Sequence, residues 1–222
     1  MWVLLGQLAW PQLCALSPTW NEIQTAVHDN AKQRFALQPA SATIPANSES
    51  PSDWLIRANQ GHSIPLSSAQ HLTRVTLETA PVAVHGTYGV FWPLIVAAGG
   101  LRAMGRNHVH FAQRDPEPAS GGGGGGGVVS GMRADAELAI HVDVAATLRD
   151  GTMEWWTSEN GVVLTEGDDH GVVPLRYFTL VEGRGRVAKE VGVLWKDGLP
   201  VGELPALAWR TPFGKKKVAA KG

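Results

Sequence analysis

The stretch that decides the fold is VAVHGTY at residues 82–88, followed by WPLIVAAGG at 92–100 and NHVHF at 107–111. The apolar start of the first segment is typical of a buried strand. The second segment predicts a helix, because a proline stands in its first turn and two glycines end it. The third segment alternates polar and apolar residues, as a half-buried strand does. The order strand, turn, helix, strand brings several polar side chains close to strand ends: His85, Thr87, His108 and His110.

The segment before this stretch predicts one short helix and two strands. Thr19 is a candidate N-cap for a helix over residues 21–27, and a strand is expected to start at residues 35–37. Residues 39–52 are rich in Ala, Ser, Pro and Asn, which indicates a loop or linker. A second strand is expected over residues 53–58. A helix, a linker and a hairpin of this kind would fit a winged-helix module, although periodicity alone does not select it.

The segment after this stretch predicts further short strands. Residues 137–143 form a good strand candidate and lead into a short helix over 144–148. An Asn-Gly pair at 160–161 predicts a hairpin turn, followed by a strand at 162–164. One more strand is expected within residues 171–178. Many short strands with few helices favour an α+β fold with a mixed, mainly antiparallel sheet.

Two segments are predicted to lie outside the packed fold. Residues 114–129 are rich in proline and glycine and include seven consecutive glycines at 121–127. Such a run is too free to hold one phosphate-binding geometry, so a flexible loop insertion is the favoured interpretation over a nucleotide cradle. Residues 211–222 form a basic tail, which is expected to be a solvated end rather than a specific RNA contact.

Composition places the chain among globular proteins. It has 222 residues, of which 44% are hydrophobic and 18% charged, with a formal net charge of −1. This length allows one large domain or two small ones. Because the net charge is close to zero, bulk charge gives no argument for binding nucleic acid, and any anion site must be built locally.

Cysteine use and hydropathy indicate the compartment. Cys14 is the single cysteine, which excludes an internal disulfide and a cysteine zinc cluster and favours a reducing environment. Residues 1–16 are apolar, but they lack a basic start and are interrupted by Pro11, so we do not expect an export signal. No other run approaches the roughly 18 apolar residues needed to cross a bilayer. We expect an intracellular protein, cytoplasmic or nuclear, without a membrane partner.

Six motifs occur in the order found in the tRNA 2′-phosphotransferase family, which this chain resembles over about residues 20–178. They are NAKQRF at 30–35, IRANQGHS at 56–63, VHGTY at 84–88, GRNHVHF at 105–111, SGMR at 130–133 and NGVVL at 160–164. The resemblance implies a winged-helix-like RNA lobe at residues 1–80. It also implies an ADP-ribosyltransferase-like lobe of mixed or antiparallel β structure at residues 81–210, which carries the 114–129 insertion.

The resemblance also implies an activity. The family removes the 2′-phosphate left at an RNA splice junction and uses NAD as the acceptor. The phosphate attacks C1″ of the nicotinamide ribose and expels nicotinamide. The neighbouring ribose hydroxyl then attacks the phosphorus and releases the RNA and ADP-ribose 1″,2″-cyclic phosphate. The implied partners are 2′-phosphorylated tRNA or another RNA and the co-substrate NAD, with no metal, and the protein is expected to be a monomer.

The matched motifs assign candidate site residues. Arginine forks bind phosphate bidentately, and two arginines match catalytic arginines of the family: Arg57 and Arg133. Six residues match positions that line its NAD pocket: His85, Gly86, Thr87, His108, His110 and Ser130. Two residues in the turn after the 53–58 strand either contact RNA or only close the turn: Gln60 and His62. Either member of the His108 and His110 pair could instead be an interior histidine, and without a third ligand the pair does not predict a metal site.

One family motif has no counterpart in this chain. The family carries Leu-Arg-His on an early helix, whereas no Arg-His pair occurs here and the first arginine is Arg34. Met1 is therefore expected to lie downstream of that motif, so that either the start is assigned late or part of the RNA-lobe chemistry has been lost. The second hypothesis is thus an impaired relative that acts as an RNA- or ADP-ribose-binding module. A third, an ADP-ribosyltransferase for other acceptors, is disfavoured because no matching glutamate is found.

Overall fold

The computed structural model describes residues 2–7, 11–61, 67–68, 72–113 and 131–210. Several predicted features lie outside these residues: the 114–129 insertion, the 211–222 tail, Ser130 and His62. No helix in the described part of the chain is long and apolar enough to cross a membrane.

The N-terminal part forms a small antiparallel sheet with two helices. Its elements are β1 (Val3–Leu4), α1 (Pro11–Leu16), α2 (Trp20–His28), β2 (Phe35–Pro39) and β3 (Trp54–Ala58). The strand order is β1-β3-β2, so that β3 is the central strand. Thr19 caps α2 in a capping box with Glu22, which confirms the predicted N-cap. The predicted helix and both predicted strands are confirmed, while the winged-helix assignment stays a prediction.

The remaining strands build a larger antiparallel sheet. They are β4 (Thr73–Arg74), β5 (Ala83–Thr87), β6 (Gly100–Arg102), β7 (Val109–Ala112), β8 (Leu138–Val142), β9 (Trp156–Thr157), β10 (Val162–Thr165), β11 (Val172–Pro174), β12 (Phe178–Gly183), β13 (Val193–Lys196) and β14 (Leu199–Pro200). Nine of them pair in the order β14-β13-β12-β8-β5-β7-β10-β9-β4, and β6 pairs separately with β11. Three short helices complete this part: α3 (Trp92–Ala97), α4 (Val144–Arg149) and α5 (Ala188–Val191).

The core lies against the middle of the nine-stranded sheet. Its fully buried large side chains include Phe111, Leu138, Ile140, Trp155 and Phe178. A smaller buried cluster covers other positions of the central strands, and its members are Val84, Ala112, Met132, Ala136 and Ala139. Ala83 packs in the main core and Val84 in the smaller cluster, so both faces of β5 are packed, which explains its apolar start.

The α+β prediction with mainly antiparallel strands is confirmed, since every strand pair among the described residues is antiparallel. The predicted 92–98 helix, the Asn-Gly turn and the strands at 137–143 and 162–164 are confirmed as well. Six strands were not predicted: β1, β4, β6, β12, β13 and β14. The ADP-ribosyltransferase-like fold and the lobe boundary near residue 80 stay predictions.

Candidate active site

The two central strands β5 and β7 join His85 to His110. The Nδ1 atom of His85 lies 2.9 Å from the carbonyl oxygen of His110. Because a carbonyl only accepts, Nδ1 carries the hydrogen and Nε2 is left as an acceptor. Burial lowers the pKa of His85 below its ordinary value, although the His110 carbonyl opposes the shift. His85 is therefore a neutral imidazole with a defined tautomer near neutral pH.

His110 is a second neutral imidazole with an unsatisfied acceptor. Its Nδ1 donates to the carbonyl of His108 at 3.0 Å. Burial, assisted by the positive charge of Arg106, lowers the pKa of His110 to about 4. Its Nε2 is buried and has no hydrogen-bond partner within the described residues. A Cβ built on Gly61 would lie 3.8 Å from this atom, so His110 faces the turn that contains Gln60. A buried, unpaired acceptor is a natural contact for a ligand donor.

His108 has partners of its own inside the protein. It is 5% exposed, and its Nε2 lies 2.8 Å from the hydroxyl of Ser68 and 3.6 Å from the carboxylate of Glu166. Ser68 in turn donates to Glu166 at 3.1 Å. The imidazole thus links two loops, as an interior histidine does. No group of three His, Cys, Asp or Glu side chains in the described part of the chain is arranged to hold a metal ion.

Gly86 allows a loop to pack directly on β5. A Cβ at this position would lie 2.3 Å from Cγ of Met132 and 2.9 Å from Cβ of Ala136. The neighbouring Thr87 is buried, and its carbonyl accepts from the backbone N–H of Glu137 at 2.8 Å. Any side chain at residue 86 would push the 131–136 loop away from the strand. The glycine therefore brings Arg133 to the end of β5.

Arg133 lies against Tyr88, the residue after Thr87. Its guanidinium donates to the Tyr88 hydroxyl at 3.4 Å, and its Cζ is 5.8 Å from the centre of the ring. The hydroxyl donates to the carboxylate of Asp135, whose oxygens lie at 3.1 and 3.0 Å. The sequence motif contained Tyr88 but assigned it no role. The signal available was its place directly after the candidate NAD-binding residues.

Arg57 lies on the central strand of the small sheet, and its side chain is only 10% exposed. Its guanidinium stacks on the ring of Trp2, with Cζ 4.7 Å from the ring centre, and forms an ion pair with Glu159. Its Nε is buried and lacks a hydrogen-bond partner among the described residues. Arg57 thus combines one charged partner with an unused donor. Sequence reasoning missed Glu159, which stands outside the matched motifs.

Lys32 connects the surroundings of the two arginines. Its Nζ donates to the carbonyl of Met132 at 2.9 Å, directly before Arg133 in the chain. Its own carbonyl accepts from the side chain of Asn160 at 2.8 Å, directly after the Arg57 partner Glu159. Burial lowers the pKa of Lys32, and the nearby positive charges of Arg34 and Arg133 lower it further. Lys32 therefore links the segment before Arg133 to the turn that holds the partner of Arg57.

The buried carboxylate of Glu137, next to the end of β5, holds the C-terminal part of the described chain in place. Glu137 is 2% exposed and accepts from the backbone N–H of Gly89 at 3.2 Å and from that of Arg210 at 3.1 Å. It also forms an ion pair with Arg186. The ring of Trp209 packs on Gly89, where a Cβ would lie 2.1 Å from the ring. This cluster supports the loop that follows Tyr88.

Comparison with known proteins agrees with this geometry. The model of the family described as RNA 2′-phosphotransferase, Tpt1 / KptA, matches residues 2–167. The chain is 39% identical over 158 residues to tRNA 2′-phosphotransferase 1 of Bos taurus and 37% identical to that of Homo sapiens, in each case over 71% of this chain and 56% of the relative. It is 35% identical to a probable RNA 2′-phosphotransferase of Rhizobium leguminosarum, over 71% of this chain and 68% of the relative.

These matches define the class of protein, and the chain belongs to the RNA 2′-phosphotransferase family. The family prediction from the motifs is thereby confirmed. The chain spans about half the length of the mammalian relatives that it matches.

Proposed function

We propose that this chain transfers the splice-junction 2′-phosphate of tRNA, or of another RNA, to NAD. The products are RNA with a free 2′-hydroxyl, nicotinamide and ADP-ribose 1″,2″-cyclic phosphate. The observation that carries the proposal is that Lys32 contacts a residue next to each arginine site: Met132, directly before Arg133, and Asn160, directly after the Arg57 partner Glu159. Membership of the family supports the same activity.

The phosphate is proposed to bind between the two arginines. A terminal phosphate is close to dianionic near neutral pH, and preorganised guanidinium donors bind it best. Arg57 offers a buried Nε without a partner in the described residues and a second nitrogen that now holds Glu159. The exposed carboxylate of Glu159 can turn into solvent when the phosphate arrives. Gln60, next to Gly61, is proposed to contact the adjoining RNA.

NAD is proposed to bind along the end of β5, at His85, Gly86 and Thr87, with His110 contributing from the neighbouring strand β7. The residues fit this group, because Nε2 of His110, which has no partner among the described residues, is an acceptor suited to a ribose hydroxyl or a carboxamide N–H. When bound, NAD supplies the acceptor carbon of its ribose and nicotinamide as the leaving group. The lowered pKa of both histidines keeps these nitrogens available as acceptors near neutral pH.

The test is incubation of the chain with a short RNA that bears one internal 2′-phosphate, with and without NAD. We expect 2′-dephosphorylated RNA only when NAD is present. Arg57→Ala and Arg133→Ala should each lower the rate by about 100-fold or more, as loss of a preorganised donor does. Arg74→Ala is the matched control, because Arg74 also pairs with a single exposed carboxylate, that of Glu154.

Two results would contradict the proposal. Phosphate removal that does not depend on NAD would exclude NAD as the acceptor. Binding of the 2′-phosphorylated RNA and of ADP-ribose without any product would instead support the hypothesis of a binding module.

A further inference from the structure

The structure assigns Tyr88 and Asp135 a positioning role: we propose that together they hold the guanidinium of Arg133 in the orientation that receives the substrate phosphate. This inference rests on the proposed function, in which Arg133 contacts that phosphate. Neither residue is expected to touch the substrate. Both would act through Arg133.

The hydroxyl of Tyr88 donates one hydrogen bond and accepts another. Its hydrogen points to the carboxylate of Asp135, with both oxygens near 3 Å. Its oxygen therefore turns a lone pair towards the guanidinium of Arg133, which donates to it at 3.4 Å. The ring also lies within cation–π distance of the same guanidinium. Tyr88 thus fixes both the position and the direction of the arginine head group.

Arg133 needs such support because its own surroundings are open. It is exposed and belongs to the 131–136 loop, so its long side chain has several rotamers in water. Tyr88 is only 4% exposed and directly follows the last residue of β5. Contact with this fixed ring therefore restricts the motion of the Arg133 side chain, although Arg133 lies on a loop. Donors that are held in place before the reaction stabilise the transition state more than mobile ones do.

Asp135 also balances the local charge. Its carboxylate lies 3.8 Å from the guanidinium of Arg210. Burial and the positive charges of Arg34 and Arg133 lower the pKa of Lys32. The negative charge of Asp135 opposes this shift. Without this carboxylate the neighbouring cations would repel one another, and Arg133 would turn away from Lys32. Asp135 is thus both the acceptor that orients the Tyr88 hydroxyl and the counter-charge of the cluster.

The protein contains a matched control for this arrangement. The chain has two tyrosines, and the other, Tyr177, is 5% exposed. Its hydroxyl donates to Asp150 at 2.8 Å and accepts from Arg176 at 3.1 Å, with Cζ of the arginine 4.6 Å from the ring centre, and the hydroxyl of Thr152 lies 3.1 Å from the Tyr177 hydroxyl. Arg176 and Asp150 are exposed, as are Arg133 and Asp135. Loss of either hydroxyl should therefore change stability similarly, and only Tyr88 lies beside the proposed site.

The experiment measures binding of an RNA with one internal 2′-phosphate to the full chain by fluorescence anisotropy, together with NAD-dependent removal of the phosphate. The variants are Tyr88→Phe, Asp135→Asn, Tyr177→Phe, Arg133→Ala and the double variant Tyr88→Phe/Arg133→Ala. We expect Tyr88→Phe and Asp135→Asn to lower kcat about tenfold, with the KM for NAD almost unchanged. Tyr177→Phe should change kcat by less than about twofold, as removal of a hydrogen bond away from the site does.

The double variant distinguishes positioning from a general structural role. If Tyr88 acts through Arg133, its substitution weakens RNA binding in the native background and adds nothing once Arg133 is alanine. Full additivity, or equal effects of Tyr88→Phe and Tyr177→Phe, would overturn the inference while leaving the proposed function intact. If Arg133→Ala binds the RNA and turns it over as the native chain does, or if the native chain does not prefer the 2′-phosphorylated RNA to unmodified RNA, the proposed function itself fails.

Discussion

Arg57 of the small sheet forms an ion pair with Glu159, which lies in the turn between β9 and β10 of the large sheet. The two partners differ in burial: the arginine side chain is 10% exposed and the glutamate side chain 61%. A mostly buried cation needs a counter-charge, whereas an exposed carboxylate can leave at little cost. Glu159 therefore occupies the place that we propose for an oxygen of the RNA 2′-phosphate.

Replacing Glu159 by glutamine should strengthen binding of the 2′-phosphorylated RNA by about threefold, because the ion pair between Arg57 and the exposed carboxylate no longer has to be broken. Anisotropy titrations at fixed salt measure the change. Glu154→Gln is the control, since it removes the same charge from a similarly exposed carboxylate, which pairs with Arg74. Weaker binding by the Glu159 variant alone would show that the carboxylate orients Arg57 rather than competing with the phosphate.

The buried, neutral His110 should make stability depend on pH in the ligand-free chain. The pKa of His110 in the folded state is about 4, against an ordinary value of 6.5. Above pH 6.5 the imidazole of His110 is neutral in both the folded and the unfolded chain, and the free energy of unfolding has its full value. As the pH falls from 6.5 towards 4, the unfolded chain takes up the proton first, so the free energy of unfolding falls by about 3 kcal/mol at most.

Urea titrations at a series of pH values measure this effect. His110→Asn should flatten the decline between pH 6.5 and pH 4, whereas the exposed His170 replaced by asparagine should not. An unchanged decline in the His110 variant would mean that other groups produce it.

The packing of Met132 on Gly86 can be tested by compensation. Gly86→Ala should lower the free energy of unfolding by about 2 kcal/mol, because the new methyl group has no space beside Cγ of Met132. In a Met132→Ala background the same substitution should cost about 1 kcal/mol or less, with the remaining clash against Ala136. Urea unfolding measures both costs. If Gly86→Ala lowered the free energy of unfolding equally in the native and the Met132→Ala backgrounds, the clash with Met132 would not be the cause.

The buried carboxylate of Glu137 should control the C-terminal part of the described chain. Glu137→Gln weakens the acceptor for Arg186 and for the N–H groups of Gly89 and Arg210, and should cost about 2 kcal/mol. Hydrogen exchange in residues 203–210 should rise at the same time. Glu182→Gln, which alters a more exposed carboxylate beside His141, is the control. Native-like exchange in the Glu137 variant would contradict the role of this cluster.

Local patterns in the sequence predicted local structure well. The proline and glycines around the 92–98 helix, the Asn-Gly turn and the Thr19 cap act within a few residues, and all are confirmed. The partners at the site are remote instead: Arg57 and Glu159 are 102 residues apart, and Lys32 and Met132 are 100 apart. Periodicity carries no information on such pairs, because they depend on how the two sheets meet.

The site motifs show the same division. They supplied the arginines and the HGT residues, but not their supporting partners, such as Tyr88 and Asp135. Whether His108 was a ligand contact or an interior histidine depended on Ser68 and Glu166, which no pattern around residue 108 indicated. Short strands such as β13 and β14 also escaped prediction, since two to four residues are too few for an alternating pattern.

The most direct test of the central claim follows the phosphate itself. An RNA with one radiolabelled internal 2′-phosphate is incubated with the native chain and NAD, and the labelled products are separated. Transfer of the label to ADP-ribose 1″,2″-cyclic phosphate, with release of nicotinamide and none of this without NAD, is the result that the account predicts. Label that stays on the RNA, or that appears as free inorganic phosphate, would contradict it.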